Sequence, residues 1–169
     1  MRHTSLITIL AILGLGLLLN LGSPNTASAV EVKEWKNRVY GEAKVWGLYY
    51  NNPWTSSSHR VYIENFQNVT VQYTYEFNHS LLDADNNKRR VADDTIEGHG
   101  SIKTTARGGR PVTINGGQWL NLSEEENVPK GRRYYLSCYT RLNVRGRFNG
   151  ENTNDAWETG TVEIGPFRY

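Results

Sequence analysis

From Tyr134 to Phe148 the chain alternates almost without exception. Tyr134, Leu136, Cys138, Thr140, Leu142, Val144 and Phe148 take the even positions, with Gly146 among them; Tyr135, Ser137, Tyr139, Arg141, Asn143, Arg145 and Arg147 take the odd ones. Successive strand side chains leave on opposite faces, so this pattern predicts a long strand with one dry face and one cationic, tyrosine-bearing face. A second clean alternation sets Val69, Val71, Tyr73, Tyr75 and Phe77 against Thr70, Gln72, Thr74, Glu76 and Asn78. Residues 39 to 50, with Val39, Ala43, Val45 and Tyr49 in one parity, predict a first strand, and Arg60 to Phe66 another. Val112 to Ile114 and Gln118 to Leu122 predict short strands on either side of a turn at Gly116-Gly117. The stretches from Asn51 to Ser58, from Gly108 to Pro111 and from Glu124 to Gly131 read as loops and turns by composition.

Residues 69 to 105 specify a register. A tight turn at Asn86-Asn87, where Asn tolerates positive φ, sets opposite each other residues whose numbers sum to 173. Val71 then meets Ile102 and Phe77 meets Ile96, while Tyr73 covers Gly100 and Tyr75 covers Gly98. Asp83 faces Arg90 and Asp85 faces Lys88 near the tip; the like-charged pair Glu76 and Glu97 is the cost. The long late strand is expected to pair with Ala156 to Phe167 across a loop from Asn149 to Asp155. That register places Val162 and Ile164 inside with Leu142 and Thr140, and Arg141 against Glu163 and Arg147 against Trp157 outside.

Short strands, frequent turn signals and no helical period predict an all-β fold. The expected form is an antiparallel β-sandwich (immunoglobulin-like) of about seven to eight strands. A small closed β-barrel is the alternative. A membrane barrel fits poorly, because Gly165, Pro166 and Arg168 interrupt the last alternating segment. Residues 30–169 read as one domain.

The first 29 residues change the picture of where the protein works. Met1-Arg2-His3, an apolar run from Leu6 to Leu21, Pro24 and Ala27-Ser28-Ala29 form the pattern of a secretory signal with cleavage after Ala29. The expected location is secreted, periplasmic or extracellular, with no membrane span after cleavage. Removing Arg2 leaves 18 Lys and Arg against 17 Asp and Glu, a balance that argues against a nucleic-acid partner held by global charge. Cys138 has no disulfide partner and, on the dry face, reads as a small core residue.

Candidate chemistry is sparse. Asp83, Asp85, Asn87 and Asp94 approach the oxygen spacing of a calcium loop, but Lys88 stands where the sharp turn requires Gly. His59, His79 and His99 lack zinc-ligand spacing. No metal and no cofactor is expected. Leu136-Ser137-Cys138-Tyr139, preceded by His79 and followed by Arg145 or Arg147, resembles the Cys/His/Arg set of sortase transpeptidases. The resemblance implies a thiolate nucleophile at Cys138, although the arginines fall on the opposite parity. Asn68, Asn78 and Asn121 begin glycosylation sequons, each with its asparagine on the outward parity.

Binding is the leading expectation. Tyr135, Tyr139, Arg141, Arg145 and Arg147, joined by Trp157, form a candidate face for an extracellular polysaccharide or a protein partner, since flat rings beside guanidinium forks suit anionic polymers. Trp46, Tyr49, Tyr50 and Trp54 form a second aromatic group, suited to stacking on sugar rings or to closing one end of the sandwich. The expected function is an exported, non-enzymatic binding module. The alternatives are a hydrolase or transpeptidase using Cys138 and a self-assembling structural or toxin-like β protein.

Overall fold

Alternation at period two produces strands from one end of the chain to the other. In the computed structural model, which describes residues 28–35, 39–105, 109–148 and 151–169, the described residues form nine strands. These are β1 (Ser28–Trp35), β2 (Val39–Asn51), β3 (Trp54–Asn65), β4 (Val71–Asp83), β5 (Arg89–Ile102), β6 (Val112–Asn121), β7 (Arg133–Phe148), β8 (Glu151–Glu158) and β9 (Val162–Arg168). One antiparallel sheet has the order β1-β2-β3-β6, and the other β5-β4-β7-β8. β9 pairs with β7 at Arg133–Cys138, on the part of its edge that β8, paired at Arg141–Phe148, leaves open. The two sheets pack as an antiparallel β-sandwich, as the pattern predicts, and do not close into a barrel. Residues 1–27 of the expected signal lie outside the described residues.

The β4–β5 hairpin keeps the predicted register through most of its length: Val71 opposes Ile102, Tyr73 Gly100, Tyr75 Gly98 and Phe77 Ile96. A Cβ on Gly98 or Gly100 would collide with the Tyr75 or Tyr73 ring, so the bare glycines are where the rings lie. The tip differs. The positive φ values belong to Asn87 and Lys88, at 49° and 54°, and a bulge between Leu81 and Leu82 shifts Asp83 opposite Arg89. Neither tip acid pairs as expected. Asp83 meets Arg132 at 3.0 Å, Asp85 meets Arg133 at 2.5 Å, and Lys88 meets Glu163 at 2.6 Å.

Three further expectations are corrected. Gly116-Gly117 is no turn: both sit inside β6, and Gly116 is bare because the Phe77 ring occupies the space of its side chain. Tyr49 is not inward, because Gly47, with φ of 66°, bulges β2 and flips the parity beyond it. Leu48 is therefore buried and Tyr49 exposed. The expected loop from Asn149 to Asp155 is strand from Glu151 onward, since Phe148 already pairs with Glu151 and β8 runs to Glu158; Asn149 and Gly150 lie outside the described residues. This tighter hairpin sets Leu142 opposite Trp157 and Arg141 opposite Glu158. An odd change of register turns every side chain over, so Trp157 points inward and is fully buried.

The interior has two apolar regions. At one end Val39, Ile63, Phe77, Leu142 and Val144 surround Trp157. Toward the other, Leu81, Leu122, Val128 and Tyr134 form one cluster, and Val45, Leu48, Leu136 and Cys138 another. Between them both inner faces turn polar, carrying buried Thr55, Ser57, His59, His79 and Thr140.

Candidate ligand-binding face

Opposite residues in a registered antiparallel pair share a face, so the outer surface of β5-β4-β7-β8 can be read row by row. One row runs Glu97, Glu76, Arg141, Glu158. Here Arg141 donates from Nε to Glu158 Oε2 at 2.6 Å and from Nη1 to Glu76 Oε2 at 3.0 Å. Tyr139, one row along, donates its hydroxyl to Glu76 Oε1. Partial burial and that bond push the Tyr139 phenol up to about 12. Arg141 is thus paired with two carboxylates. Tyr135 is covered by the Lys88 ammonium, 4.5 Å from its ring centre.

Two rows away, the sequence Ser101, Gln72, Arg145, Asn154 crosses all four strands. It carries one cation and no acid. No carboxylate engages Arg145 among the described residues. Arg145 and Arg147 line a shallow groove of about 610 Å³ with Thr70, Gln72, Asn152 and Asn154, which continues past Thr74 and His99. Amides and hydroxyls can donate and accept, and a guanidinium offers a fork to a carboxylate or phosphate. The six predicted site residues therefore divide. Arg145 and Arg147 stand together over the groove, Tyr139 and Arg141 share one network with Glu76 and Glu158, Tyr135 lies under Lys88, and Trp157 is in the core. The asparagines of β8 were missed because that segment was read as a loop.

The Cys138 candidate resolves differently. His79 lies directly across the strand pair from Cys138, but both are fully buried. Burial pushes the thiol up to about 12, against smaller opposing contributions from Ser57 and the Ser80 backbone. Both nitrogens of His79 are engaged, Nε2 with Thr55 Oγ1 and Nδ1 with Ser57 Oγ, each at 2.8 Å. Ser57 Oγ also meets His59 Nε2 at 2.7 Å, and His59 Nδ1 meets Thr140 Oγ1 at 2.9 Å. Thr140 Oγ1 donates to the Lys44 carbonyl at 2.8 Å. Since a carbonyl only accepts, the hydrogens of the entire chain are ordered. Thr55 donates to His79, His79 to Ser57, Ser57 to His59 and His59 to Thr140, with both imidazoles neutral and protonated at Nδ1. Burial lowers His59 to about 4; burial, then the neighbouring His59, lowers His79 to about 3.

Of the sequons, Asn68 is exposed and Asn121 partly buried, but Asn78 is buried, contrary to the parity expectation. It donates to Thr95 and accepts from Ser80, the neighbouring β5 strand covering its side. Among the described residues no helix is long and apolar enough to cross a membrane.

Comparison with known proteins adds little. No family model and no curated protein matches the chain. Among solved structures, the crystal structure of a protein from Archaeoglobus fulgidus is similar over 79% of this chain and 95% of its own, at 11% identity and a TM-score of 0.36.

Proposed function

We propose that the chain is an exported, non-enzymatic binding module whose β5-β4-β7-β8 face holds an anionic cell-surface polymer. The observation that carries this reading is Arg145: an exposed guanidinium with no carboxylate partner among the described residues, set in a groove of amides and hydroxyls. Two carboxylates consume the charge of Arg141, whereas that of Arg145 is left for a ligand. Export rests on the leader pattern. Cleavage after Ala29 would leave Val30 to Trp35 of β1 still paired with Lys44 to Val39.

Retention of the purified protein on polyanionic polysaccharide and on isolated cell-wall material tests the reading. Arg145→Ala should abolish most of it, and retention of the native protein should fall with added salt. Arg168→Ala, which removes the same charge at the far end of the sheet, should leave it unchanged. Equal retention of Arg145→Ala and the native protein would end the proposal. The non-enzymatic part has its own check: Cys138 should resist alkylation in the folded state and react only on unfolding.

A further inference from the structure

At the Asn51–Trp54 end, the opposite outer surface, on β2-β3-β6, carries rings rather than ions. The register sets Tyr49 opposite Ser56, and Ser56 opposite Trp119. Two aromatic side chains thus rise from β2 and β6 with a serine between them, their anchor points ~10 Å apart across two strand spacings. One row along, Ser58 lies between Trp46 and Gly117, and the Trp119 indole nitrogen lies 3.9 Å from where a Gly117 Cβ would stand. One row in the other direction, Trp54 projects beside Asn51. Trp119 is 65% exposed, Trp54 and Tyr49 each 45%. Scattered exposed apolar side chains are ordinary; three large rings on adjoining rows of one face are a patch.

The chain places these rings outward at some cost. Without the left-handed Gly47, β2 would carry Tyr49 inward and Leu48 into water. Tyr50, by contrast, serves the interior: it stacks on Phe167 at 3.9 Å and donates to the Arg168 carbonyl. The second aromatic group expected from the sequence therefore loses Tyr50 and gains Trp119.

We infer that this face is a second binding site, for the uncharged pyranose rings of a polysaccharide chain. A sugar ring offers a C–H face to an aromatic plane and hydroxyls at its rim, matching rings interleaved with Ser56, Ser58 and Asn51. An acyl chain or an aliphatic protein patch would strip water from those hydroxyls and amides without replacing their hydrogen bonds. The three rows hold no ionised side chain, and the nearest cations are engaged. Lys44 lies over Trp46, and Arg60 stands 3.7 Å from Glu42 and over Tyr62. The three rows themselves offer an anionic headgroup or polymer no cation, and Lys44 is a single charge at their border.

The test is retention on insoluble cellulose, chitin and xylan, with binding of the matching soluble oligosaccharides followed by tryptophan fluorescence. The native protein should be retained on at least one of the three, and its soluble oligosaccharide should perturb the fluorescence. Trp119→Ala should weaken that binding at least tenfold, and Tyr49→Ala by a smaller factor, with unchanged circular dichroism and melting temperature. Arg145→Ala should bind these uncharged glycans like the native protein, which separates this site from the cationic groove. The inference is overturned by absence of retention on all three, by equal binding of Trp119→Ala, or by loss in Arg145→Ala. Capture by neutral phosphatidylcholine vesicles in their place, or Trp119-dependent self-association, would also overturn it.

Discussion

Two parts of the same interior are specified by different physics. Around Trp157 the sandwich is held by shape: the indole lies against Gly41, where an added Cβ would sit 2.6 Å from the ring, and Phe77 fills the space above Gly116. Across the waist, a few residues away, it is held by direction. Five side chains hand hydrogen bonds along from Thr55 to the Lys44 carbonyl, so each donor depends on the acceptor beyond it. Phe77 stacks on His59 at 5.1 Å and joins the two regions. An apolar cluster is indifferent to pH; a neutral imidazole relay is not.

The largest expected effect breaks the shape-held end. Trp157→Ala removes the biggest fully buried side chain and should cost about 3–5 kcal/mol, read as a lower urea midpoint at every pH from 7 to 5. The next breaks the waist without mutation. His59 and His79 have folded pKa values near 4 and 3 against about 6.5 when unfolded. The unfolded chain therefore binds more protons in this window, and the stability present above about pH 6.5 is lost as pH falls toward 4. At pH 5 the loss should approach about 2 kcal/mol per histidine. The described groups meeting the two rings are Thr55 and Ser57 from β3, Phe77 from β4, and Cys138 and Thr140 from β7, with no acid among them to stabilise an imidazolium. Urea midpoints at pH 7, 6 and 5 should fall steadily, and those of His59→Gln/His79→Gln should be nearly level. Parallel slopes in the two proteins would remove the histidines from the explanation.

The comparison also explains what was legible beforehand. Alternation exposed the sandwich, the long β7 and the β4–β5 register, because parity and turn chemistry act between neighbours in sequence. The glycines under Tyr73 and Tyr75 followed from that register alone. Bulges and tight hairpins defeated parity counting: Gly47 inverted Tyr49, and closure of the hairpin at Glu151 inverted Trp157. The relay was invisible for another reason. Thr55 and Ser57 read as a polar loop, and the opposite sheet, more than 20 residues away at His79 and 81 at Thr140, supplies the partners that complete the chain from Thr55, Ser57 and His59. The candidate face was half legible, since the arginines were seen but the carboxylates that cancel Arg141 arrive from β4 and β8.

A smaller effect dissects the relay. Ser57→Ala removes the hydroxyl that accepts from His79 and donates to His59, leaving two buried ring nitrogens without partners. The expected cost is about 1–3 kcal/mol. The hydroxyl of Ser57→Thr could restore both bonds, so partial recovery there, measured as the urea midpoint at pH 7, would show that the bonds rather than the volume matter. Equal loss in both variants would assign the effect to packing.

The smallest effect lies outside the core and sharpens the contrast with it. Glu158→Gln removes one of the two carboxylates on Arg141, but the Glu76 contact at 3.0 Å remains. Both partners of the lost pair are well exposed, so solvent already screens it, and the stability change should stay within about 1 kcal/mol. Function should move further than stability. Deleting a negative charge from the row beside the Arg145 groove makes that face more cationic, so retention on polyanionic polysaccharide should rise at low salt and converge with the native protein at high salt. A drop in retention would mean that Glu158 itself touches the ligand, and the groove would then have to extend across the Arg141 row.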